Sequence, residues 1–523
     1  MISESQSDII AALSNPKNYP YRVKSVEVRQ SHIAILFLAG DQVYKLKRAV
    51  LYPETDLSTR EKRRLSCVRE MKRSAVYAPN LVEKIESVRR LKNGKIVIGG
   101  TEGVEVDTVL VMRRIADKYL LNHLLPSPKF DRFQAMDLAE RLSDLHKKAK
   151  VFRTKWGVDT LKRLILENES VLSCFCPDVF HKKEVNELTC KNLKLLADLG
   201  SLIKVRQKSG FVRKCHGDLL LSNIAYENGE FLFFSPIDYN ENLCCIDTLY
   251  DLADVLMDLE AKGLRRLANI LFNHYMAYMN DLSGFPLLGL YQSVRAARRA
   301  AVCAKKATLI HGWDRRRMIK EARQYFNLAC HFVSGGKPLL IACGGLSGSG
   351  KSRIAREIAG HLDPAPGAVV LRDDIVKKQM AGLMPTETLD KKYDTPAYEE
   401  VVYDVLRQQA AGALSVGSCV ILDALFYNES ERLAAEALAK KMQVPFVGLW
   451  MDAPLSVREE RVKTRLRNPS DVRDRAELDS QLQLDTGTIR WHKIMTDKSR
   501  EKTLQEALHI LRRVLHPHRY LFK

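Results

Sequence analysis

The amino-acid sequence predicts an α+β region followed by an α/β domain with a parallel sheet. In the last third of the 523-residue chain, short apolar stretches typical of buried strands alternate with helical stretches. This alternation is typical of a parallel sheet that helices cover on both faces. In the first two-thirds, several short strands come before an almost continuous run of helical sequence. A chain of this length has room for about two to four domains, each with its own core.

The clearest linker signal is the Gly-rich stretch 334–337, which Pro338 follows. We therefore predict one domain at residues 1–334 and a second at residues 337–523. Apolar residues make up 46% of the chain, but no run of about 18 of them occurs, so we expect no membrane span. The polar N-terminus lacks the features of a signal peptide, and the 11 scattered cysteines are typical of free thiols. These features favour a cytoplasmic protein.

The formal net charge of the chain is +20. A basic balance suits anionic ligands such as nucleotides, and it also permits RNA binding. The basic residues are not interleaved with aromatic residues as they are in proteins that bind single strands. We therefore expect no nucleic-acid partner, and solvated basic helices are the simpler interpretation of the charge.

The firmest motif is a phosphate-binding loop between an apolar strand and a helix. Its sequence is G-x-x-x-x-G-K-S, formed by Gly345, Leu346, Ser347, Gly348, Ser349, Gly350, Lys351 and Ser352. Glycines let successive backbone N–H groups face one anion, and the helix N-terminus adds its dipole. Lys351 is placed to reach the β- and γ-phosphates, and Ser352 to hold Mg²⁺. The expected cofactors are therefore ATP and Mg²⁺.

Two acidic residues follow predicted strands of the same sheet, where the functional groups of such sheets gather. Asp423 is predicted to act on Mg²⁺, and Asp374 to take the proton of an acceptor hydroxyl. Capping of the next helix is the alternative for both. Arg461 and Arg465 share a helix face with Arg458, so they are predicted to form a lid that brings positive charge to the transferring phosphate. A solvated basic helix is the alternative there.

A second constellation lies in the first two-thirds of the chain. Asp218 and Asn223 are five residues apart on a loop that begins His216-Gly217, and Asp238 follows one hairpin later. Such an Asp can accept a hydroxyl proton, while the Asn and the second Asp bind Mg²⁺. Upstream, a predicted strand places Lys45 and Lys47 on one face, with Glu61 and Glu70 on the next helix as candidate partners. The alternative for the lysines is an exposed edge strand. The alternative for Asp218 and Asn223 is a turn unrelated to phosphate transfer.

These motifs resemble the aminoglycoside phosphotransferase family, whose fold is protein-kinase-like. The resemblance rests on His216-Gly217-Asp218-x4-Asn223, on Ile237-Asp238-Tyr239 and on the stretch Asp247–Ala253, and it covers about residues 20–330. It implies a two-lobed kinase fold with ATP in the cleft. It implies that Asp218 is the catalytic base, that Asn223 and Asp238 bind Mg²⁺, and that Asp251 braces the catalytic loop. It also implies that Lys45 (or Lys47), paired with Glu70, binds phosphate. Met112 would lie at the hinge and contact adenine.

The sequence also departs from the family pattern. No G-x-G-x-x-G loop precedes the strand lysines, Leu220 stands where relatives often have His, and Ser235 and Pro236 precede Ile237. An active kinase and a pseudokinase that only binds nucleotide therefore both stay open for this region.

The last third resembles the P-loop small-molecule kinases, the group that includes gluconate kinase, chloramphenicol phosphotransferase and zeta-toxin-like kinases. The order of the two halves resembles a bacterial group of two-domain ATP-binding proteins. The resemblance implies an ATP-dependent phosphotransferase acting on a hydroxyl of a small polar molecule. The alternatives are an ATP-switched regulatory protein with a pseudokinase N-terminal domain and an RNA-end kinase. The acceptor and the oligomeric state are not fixed by the sequence, because acceptor pockets lie on variable loops.

Overall fold

The structure is a computed structural model, and it describes residues 5–515 apart from residues 32, 53–54, 126, 128–129 and 466–485. The chain forms two units by its internal contacts. The first comprises Met1–Phe130, Leu145–Thr160 and Ile203–Val255, and the second Asp131–Asp144, Leu161–Leu202 and Leu256–Lys523. The boundary expected at residues 334–337 lies within the second unit. Domains at 1–334 and 337–523 therefore stay a prediction.

The strands up to residue 247 lie in the first unit and the later ones in the second. In chain order they are β1 (Val26–Gln30), β2 (Ala34–Ala39), β3 (Gln42–Lys47), β4 (Leu51–Tyr52), β5 (Thr55–Asp56), β6 (Val82–Arg90), β7 (Ile96–Ile98), β8 (Val104–Arg113), β9 (Val212–Lys214), β10 (Ile224–Glu227), β11 (Glu230–Phe233), β12 (Cys245–Asp247), β13 (Leu340–Gly344), β14 (Val369–Arg372), β15 (Val420–Asp423), β16 (Phe446–Asp452) and β17 (His492–Met495).

Helices supply most of the remaining described residues. They are α1 (Ser7–Ser14), α2 (Arg60–Tyr77), α3 (Leu121–Leu124), α4 (Arg132–Lys148), α5 (Val158–Ser173), α6 (Lys182–Asp198), α7 (Gly200–Lys208), α8 (Glu241–Cys244), α9 (Thr248–Ala261), α10 (Arg265–Met279), α11 (Leu288–Ala307), α12 (Gly312–Phe332), α13 (Lys351–Ala359), α14 (Asp373–Met380), α15 (Pro396–Ser415), α16 (Glu429–Met442), α17 (Leu455–Arg465) and α18 (Arg500–Leu515). Among the described residues, no helix has both the length and the apolarity that crossing a membrane requires.

The first unit is organised by a six-stranded antiparallel sheet in the order β1-β2-β3-β8-β6-β7. Strands β2 and β3 form a hairpin with Ala39 opposite Gln42 across its turn. Helix α2 begins after Thr59, whose hydroxyl accepts a hydrogen bond from Lys62 N at 3.3 Å. This helix packs against β8 and β6. The packing directs part of α2 toward the lysine-bearing strand β3.

The second unit contains a five-stranded parallel sheet in the order β14-β15-β13-β16-β17. Its core side chains are apolar and fully buried on β13, for example Ile341, which packs with Ile354 and Ile358 of α13. Because the strands are parallel, their carboxyl ends meet at one edge: Cys343 and Arg372 both pair with Asp423. The prediction of an α+β region followed by an α/β domain with a parallel sheet is confirmed.

Candidate functional site

The phosphate loop runs from the end of β13 into α13, and its backbone admits only glycine at two turns. Gly345 has φ +141°, and a Cβ there would lie 2.3 Å from Met451 O. Gly348 has φ +80°, and a Cβ there would lie 2.7 Å from Arg458 O. Between them, Ser349 N donates to Leu346 O at 3.0 Å and closes the loop. The glycines therefore allow the tight curl that turns several N–H groups toward one anion.

The first turn of α13 brings Lys351 and Ser352 beside the end of β15. Ser352 Oγ donates to Asp423 Oδ1 at 3.1 Å. Asp423 is 1% exposed, its Oδ2 has no hydrogen-bond partner among the described residues, and Arg372 Nε lies 3.8 Å from that oxygen. Burial raises the pKa of Asp423, while Arg372 and Lys351 act against this rise. A hydroxyl beside a buried carboxylate with a vacant oxygen is a donor set that fits Mg²⁺.

Asp374 lies at the start of α14, next to the same arginine. Arg372 Nη2 contacts Asp374 Oδ2 at 2.6 Å, so one guanidinium links the two predicted acids. Asp374 Oδ1 accepts a hydrogen bond from Ile375 N at 2.9 Å, and Asp373 Oδ1 one from Asp374 N at 2.7 Å. Asp374 lies within the first turn of α14, whose N-cap is Arg372 and has no side-chain cap hydrogen bond, so Asp374 does not cap this helix.

Two arginines of α17 hold the phosphate loop by its carbonyl oxygens. Arg458, which is 6% exposed, donates from Nε to Ser347 O at 2.9 Å. Arg461 Nη1 donates to Gly348 O at 3.2 Å and to Thr496 Oγ1 at 3.0 Å. These bonds satisfy carbonyl groups of the loop, so they support its curl. The lid role predicted for Arg461 stays a prediction.

Some functional contacts were missed by the sequence, and one predicted residue lies outside the description. Thr496 follows β17 and donates from Oγ1 to Ser349 O at 2.6 Å. No sequence signal marks this threonine, because β17 is four residues long and its partly polar sequence does not resemble a buried strand. Arg458 could have been included from its spacing to Arg461. The side chain of Arg465 is outside the described residues.

In the first unit, two lysines of β3 share one glutamate of α2. Lys45 Nζ lies 2.6 Å from Glu70 Oε1, and Lys47 Nζ lies 2.5 Å from Glu70 Oε2. Lys47 also lies 3.1 Å from Asp238 Oδ1, and the hydroxyl of Ser66 donates to Asp238 Oδ2. Lys47, the second choice from the sequence, therefore contacts a predicted metal ligand directly. Glu70 is the partner that the helix provides.

The charges of this cluster are strongly coupled through burial. Burial works against ionisation of Glu70, but Lys45 and Lys47 outweigh it and lower the pKa of Glu70 to about 2. Burial likewise disfavours the Lys47 ammonium, but Asp238 and Glu70 raise the pKa of Lys47 above its usual value. Both groups are therefore charged at neutral pH. Glu61, the other candidate partner, instead pairs with Arg64 at the surface.

Asp251 supports the predicted catalytic loop through its backbone. Its two carboxylate oxygens accept hydrogen bonds from His216 N at 2.9 Å and Gly217 N at 2.8 Å. Asn223 Nδ2 donates to Asp218 Oδ2 at 2.9 Å, so the structure brings these two predicted residues together. Burial lowers the pKa of His216 to about 4, and Asp251 and Asp218 oppose this only in part. His216 is therefore neutral at pH 7 and fixes the loop by hydrogen bonds.

The remaining features of this site are apolar or structural. Leu219, Leu220 and Leu221 are 0%, 7% and 0% exposed, so the unusually apolar loop is anchored in a core. Met112 lies in β8, opposite Val43. Its predicted contact to adenine stays a prediction, as do the Mg²⁺ roles of Asn223 and Asp238.

Comparison with known proteins gives one family match and one relative aligned over most of the chain. Residues 340–485 match the family model described as an AAA domain. Over 499 residues, the chain is 26% identical to the uncharacterized protein Rv2004c of Mycobacterium tuberculosis, an alignment covering 93% of this chain and 95% of that one. The alignment therefore spans nearly the whole length of both chains.

Solved structures similar to the chain fall into two groups, one for each half. The aminoglycoside phosphotransferase APH(2'')-Ib, bound to ADP, is 15% identical with a TM-score of 0.31, covering 59% of this chain and 97% of its own. A gluconokinase from Sinorhizobium meliloti is 19% identical with a TM-score of 0.24, covering 36% of this chain and 98% of its own. The family match spans the phosphate loop and strands β13 to β16, in agreement with the P-loop domain predicted there.

Proposed function

We propose that the chain is an ATP-dependent phosphotransferase whose C-terminal site moves the γ-phosphoryl group of ATP to a hydroxyl of a small polar molecule. The observation that carries this proposal is the pair Ser352 and Asp423 beside Lys351. A buried carboxylate with one vacant oxygen costs free energy in the folded protein, of the order of 1–3 kcal/mol. Such an arrangement is retained where a bound cation completes it.

In the proposed reaction, the chain mainly positions groups and neutralises charge. The loop N–H groups and Lys351 hold the phosphates. Ser352 and Asp423 would hold Mg²⁺, which would supply charge neutralisation at the phosphates. Asp374 accepts the proton of the acceptor hydroxyl. The hydroxyl oxygen then forms a bond to the γ-phosphorus, while the bond between that phosphorus and the ADP oxygen breaks. Arg461 and Arg465 add positive charge around the transferring group.

We further propose a second nucleotide site in the first unit, with Asp218 as base and with Asn223 and Asp238 as Mg²⁺ ligands. Lys45 or Lys47 would bind phosphate there, and Met112 would contact adenine. The alignment of Lys47, Glu70 and Asp238 supports this assignment, because a charged lysine held beside a metal ligand can meet the phosphates that the metal binds. A pseudokinase that binds ATP without transfer is the alternative for this unit.

The proposed substrates are therefore ATP and a hydroxyl-bearing small molecule. Nucleic acid is not among them. All eleven cysteines are free, which supports a reducing, cytoplasmic location.

The test is a screen of hydroxyl compounds for ATP-dependent phosphorylated products, run on the wild type, Lys351→Ala and Asp218→Ala. Lys441→Ala, an exposed lysine at the end of α16, is the matched control. Lys351→Ala should lower C-terminal transfer by about 10³-fold while the control stays at the wild-type rate. Transfer that survives Lys351→Ala and is lost with Asp218→Ala would assign activity to the first unit.

Three other outcomes would point elsewhere. Unchanged transfer in Lys351→Ala would refute the assignment of the C-terminal site. ATP loss that no hydroxyl compound stimulates would favour an ATP-switched regulatory protein. Tight RNA binding with a steep salt dependence, together with phosphorylation of RNA ends, would favour an RNA-end kinase.

A further inference from the structure

The strand that leads to Asp374 is an edge strand, and a helix rather than another strand covers its free edge. Among the residues that the structure describes, strand β14 pairs only with β15 in the five-stranded sheet. An uncovered edge leaves backbone N–H and C=O groups without partners. Helix α10 lies along this edge within the second unit and makes direct contacts with residues 368–370. In sequence, α10 precedes the phosphate loop by more than 60 residues.

Two asparagines of α10 replace the missing strand. Asn273 donates from Nδ2 to Ala368 O at 3.1 Å and accepts from Val370 N at 2.7 Å, so its carboxamide offers β14 what a neighbouring peptide group would. Asn269, which is 1% exposed, also donates to Ala368 O, at 3.0 Å. Its own Oδ1 lies 3.2 Å from Asn273 Nδ2. The edge is therefore satisfied at residues 368 and 370 by one buried and one half-buried side chain, and such bonds are costly to remove.

The same helix also holds the element on the far side of Asp374. Gln379 of α14 donates from Nε2 to Ala277 O at 2.9 Å. At the start of β14, Gly367 approaches α10 so closely that a Cβ there would lie 2.7 Å from Asn269 Nδ2. The contacts of α10 thus lie before and after the corner formed by Arg372, Asp373 and Asp374.

The pKa of His274, a residue of α10 near Arg372, agrees with the close packing of this helix. Burial lowers the pKa of His274 of α10 to about 4, and Arg372 and Arg356 lower it further. The imidazole is therefore neutral at pH 7 and adds no positive charge beside Arg372. Arg372 can then keep its contact of 2.6 Å with the Asp374 carboxylate.

We propose that helix α10 positions the acceptor side of the P-loop site, with Asn273 and Gln379 as positioning residues that fix Asp374 through the strand before it and the helix after it. The role of Asp374 rests on the function proposed above. The inference itself is that residues far upstream of the phosphate loop are part of the machinery of the C-terminal site. They act on the acceptor and not on the nucleotide.

The first test measures backbone hydrogen exchange in the full chain and needs no acceptor. In Asn273→Ala, exchange at residues 370–376 should rise about tenfold or more, while residues 351–359 of the phosphate-loop helix keep their wild-type protection. Gln379→Ala should raise exchange at residues 374–380. Asn192→Ala is the control, because Asn192 is a buried asparagine of the same unit that bonds only within its own helix, to Leu188 O at 3.1 Å.

The second test separates positioning from general destabilisation. With the hydroxyl compound that gives the highest turnover, Asn273→Ala and Gln379→Ala should lower kcat by about 10- to 100-fold, because small displacements of a catalytic group have effects of this size. The Kd for ATP should stay within about twofold of the wild type. Since both contacts hold one corner, the double variant should lose more than the two single losses combined.

Each outcome decides the proposal. Unchanged exchange at residues 370–376, an equal kinetic loss in Asn192→Ala, or parallel losses of kcat and ATP affinity would overturn it. If Asn273→Ala does not fold, Gln379→Ala decides, since that substitution removes one bond to a helix carbonyl. If no hydroxyl compound supports turnover in the wild type, the proposed function fails, and the exchange experiment still decides whether α10 holds the corner.

Discussion

Asp423 should be a residue whose removal abolishes function and yet stabilises the fold. Its carboxylate is 1% exposed, and burial raises its pKa, so the folded protein is destabilised by keeping it ionised at pH 7. Asn is isosteric and keeps a partner for Ser352 Oγ. The change removes a buried charge, whose incomplete pairing costs about 1–3 kcal/mol, but loses the attraction of Lys351 and Arg372. We expect a net gain of about 1 kcal/mol, or about 2 °C in Tm.

The assay pairs thermal unfolding without nucleotide with Mg²⁺-dependent transfer. Asp423→Asn should raise Tm while it lowers transfer by about 10²-fold or more, because the charge that binds the cation is gone. Asp363→Asn is the control, since that aspartate is 63% exposed and pairs with Arg265. It should change neither quantity by much. A lower Tm for Asp423→Asn with transfer intact would refute the interpretation of Asp423 as a strained metal ligand.

Two predictions concern the first unit. Glu70→Gln removes the carboxylate between two buried lysines and should cost about 3–5 kcal/mol in chemical unfolding, whereas Glu61→Gln, with a side chain 63% exposed, should cost under about 0.5 kcal/mol. His216 has a folded pKa of about 4 against 6.5 unfolded, so the unfolded state binds more protons between these values. Wild-type stability should therefore fall by about 3 kcal/mol as pH drops from 6.5 to 4, and His216→Gln should lack that part of the slope.

Each of these two predictions, for Glu70 and for His216, has a result that would contradict it. Equal costs for Glu70→Gln and Glu61→Gln would mean that the shared glutamate is not buried between charges. An unchanged pH slope in His216→Gln would mean that this histidine is not held neutral in the catalytic loop.

The sequence revealed those parts of the sites that have local patterns. The phosphate loop has a fixed spacing, and β13 and α13 flank it as its motif requires. Asp218 and Asn223 are close in sequence, so their contact at 2.9 Å follows from the loop itself. Such features depend on neighbouring residues, and one sequence is sufficient to find them.

Contacts that depend on tertiary packing were not available in this way. The sequence placed Lys45 and Lys47 on one face but did not show that Lys47 contacts Asp238, 191 residues away. Strand β6 was not expected, because its sequence VEKIESVRR is largely polar and only its pairing with β8 and β7 makes it a strand. The bond of Asn273 to β14 is likewise invisible, since an asparagine within a helix has no sequence signal for its partner.

The central claim, transfer of phosphate to a hydroxyl at the C-terminal site, is tested most directly by running the reaction in H₂¹⁸O. Transfer to an organic hydroxyl forms a phosphate ester without solvent oxygen, whereas hydrolysis places ¹⁸O in inorganic phosphate. Mass spectrometry of the products should show an unlabelled phosphorylated compound whose formation disappears in Lys351→Ala and Asp423→Asn. If all of the phosphate that the wild type releases from ATP carried ¹⁸O in every mixture of hydroxyl compounds, the claim would be wrong.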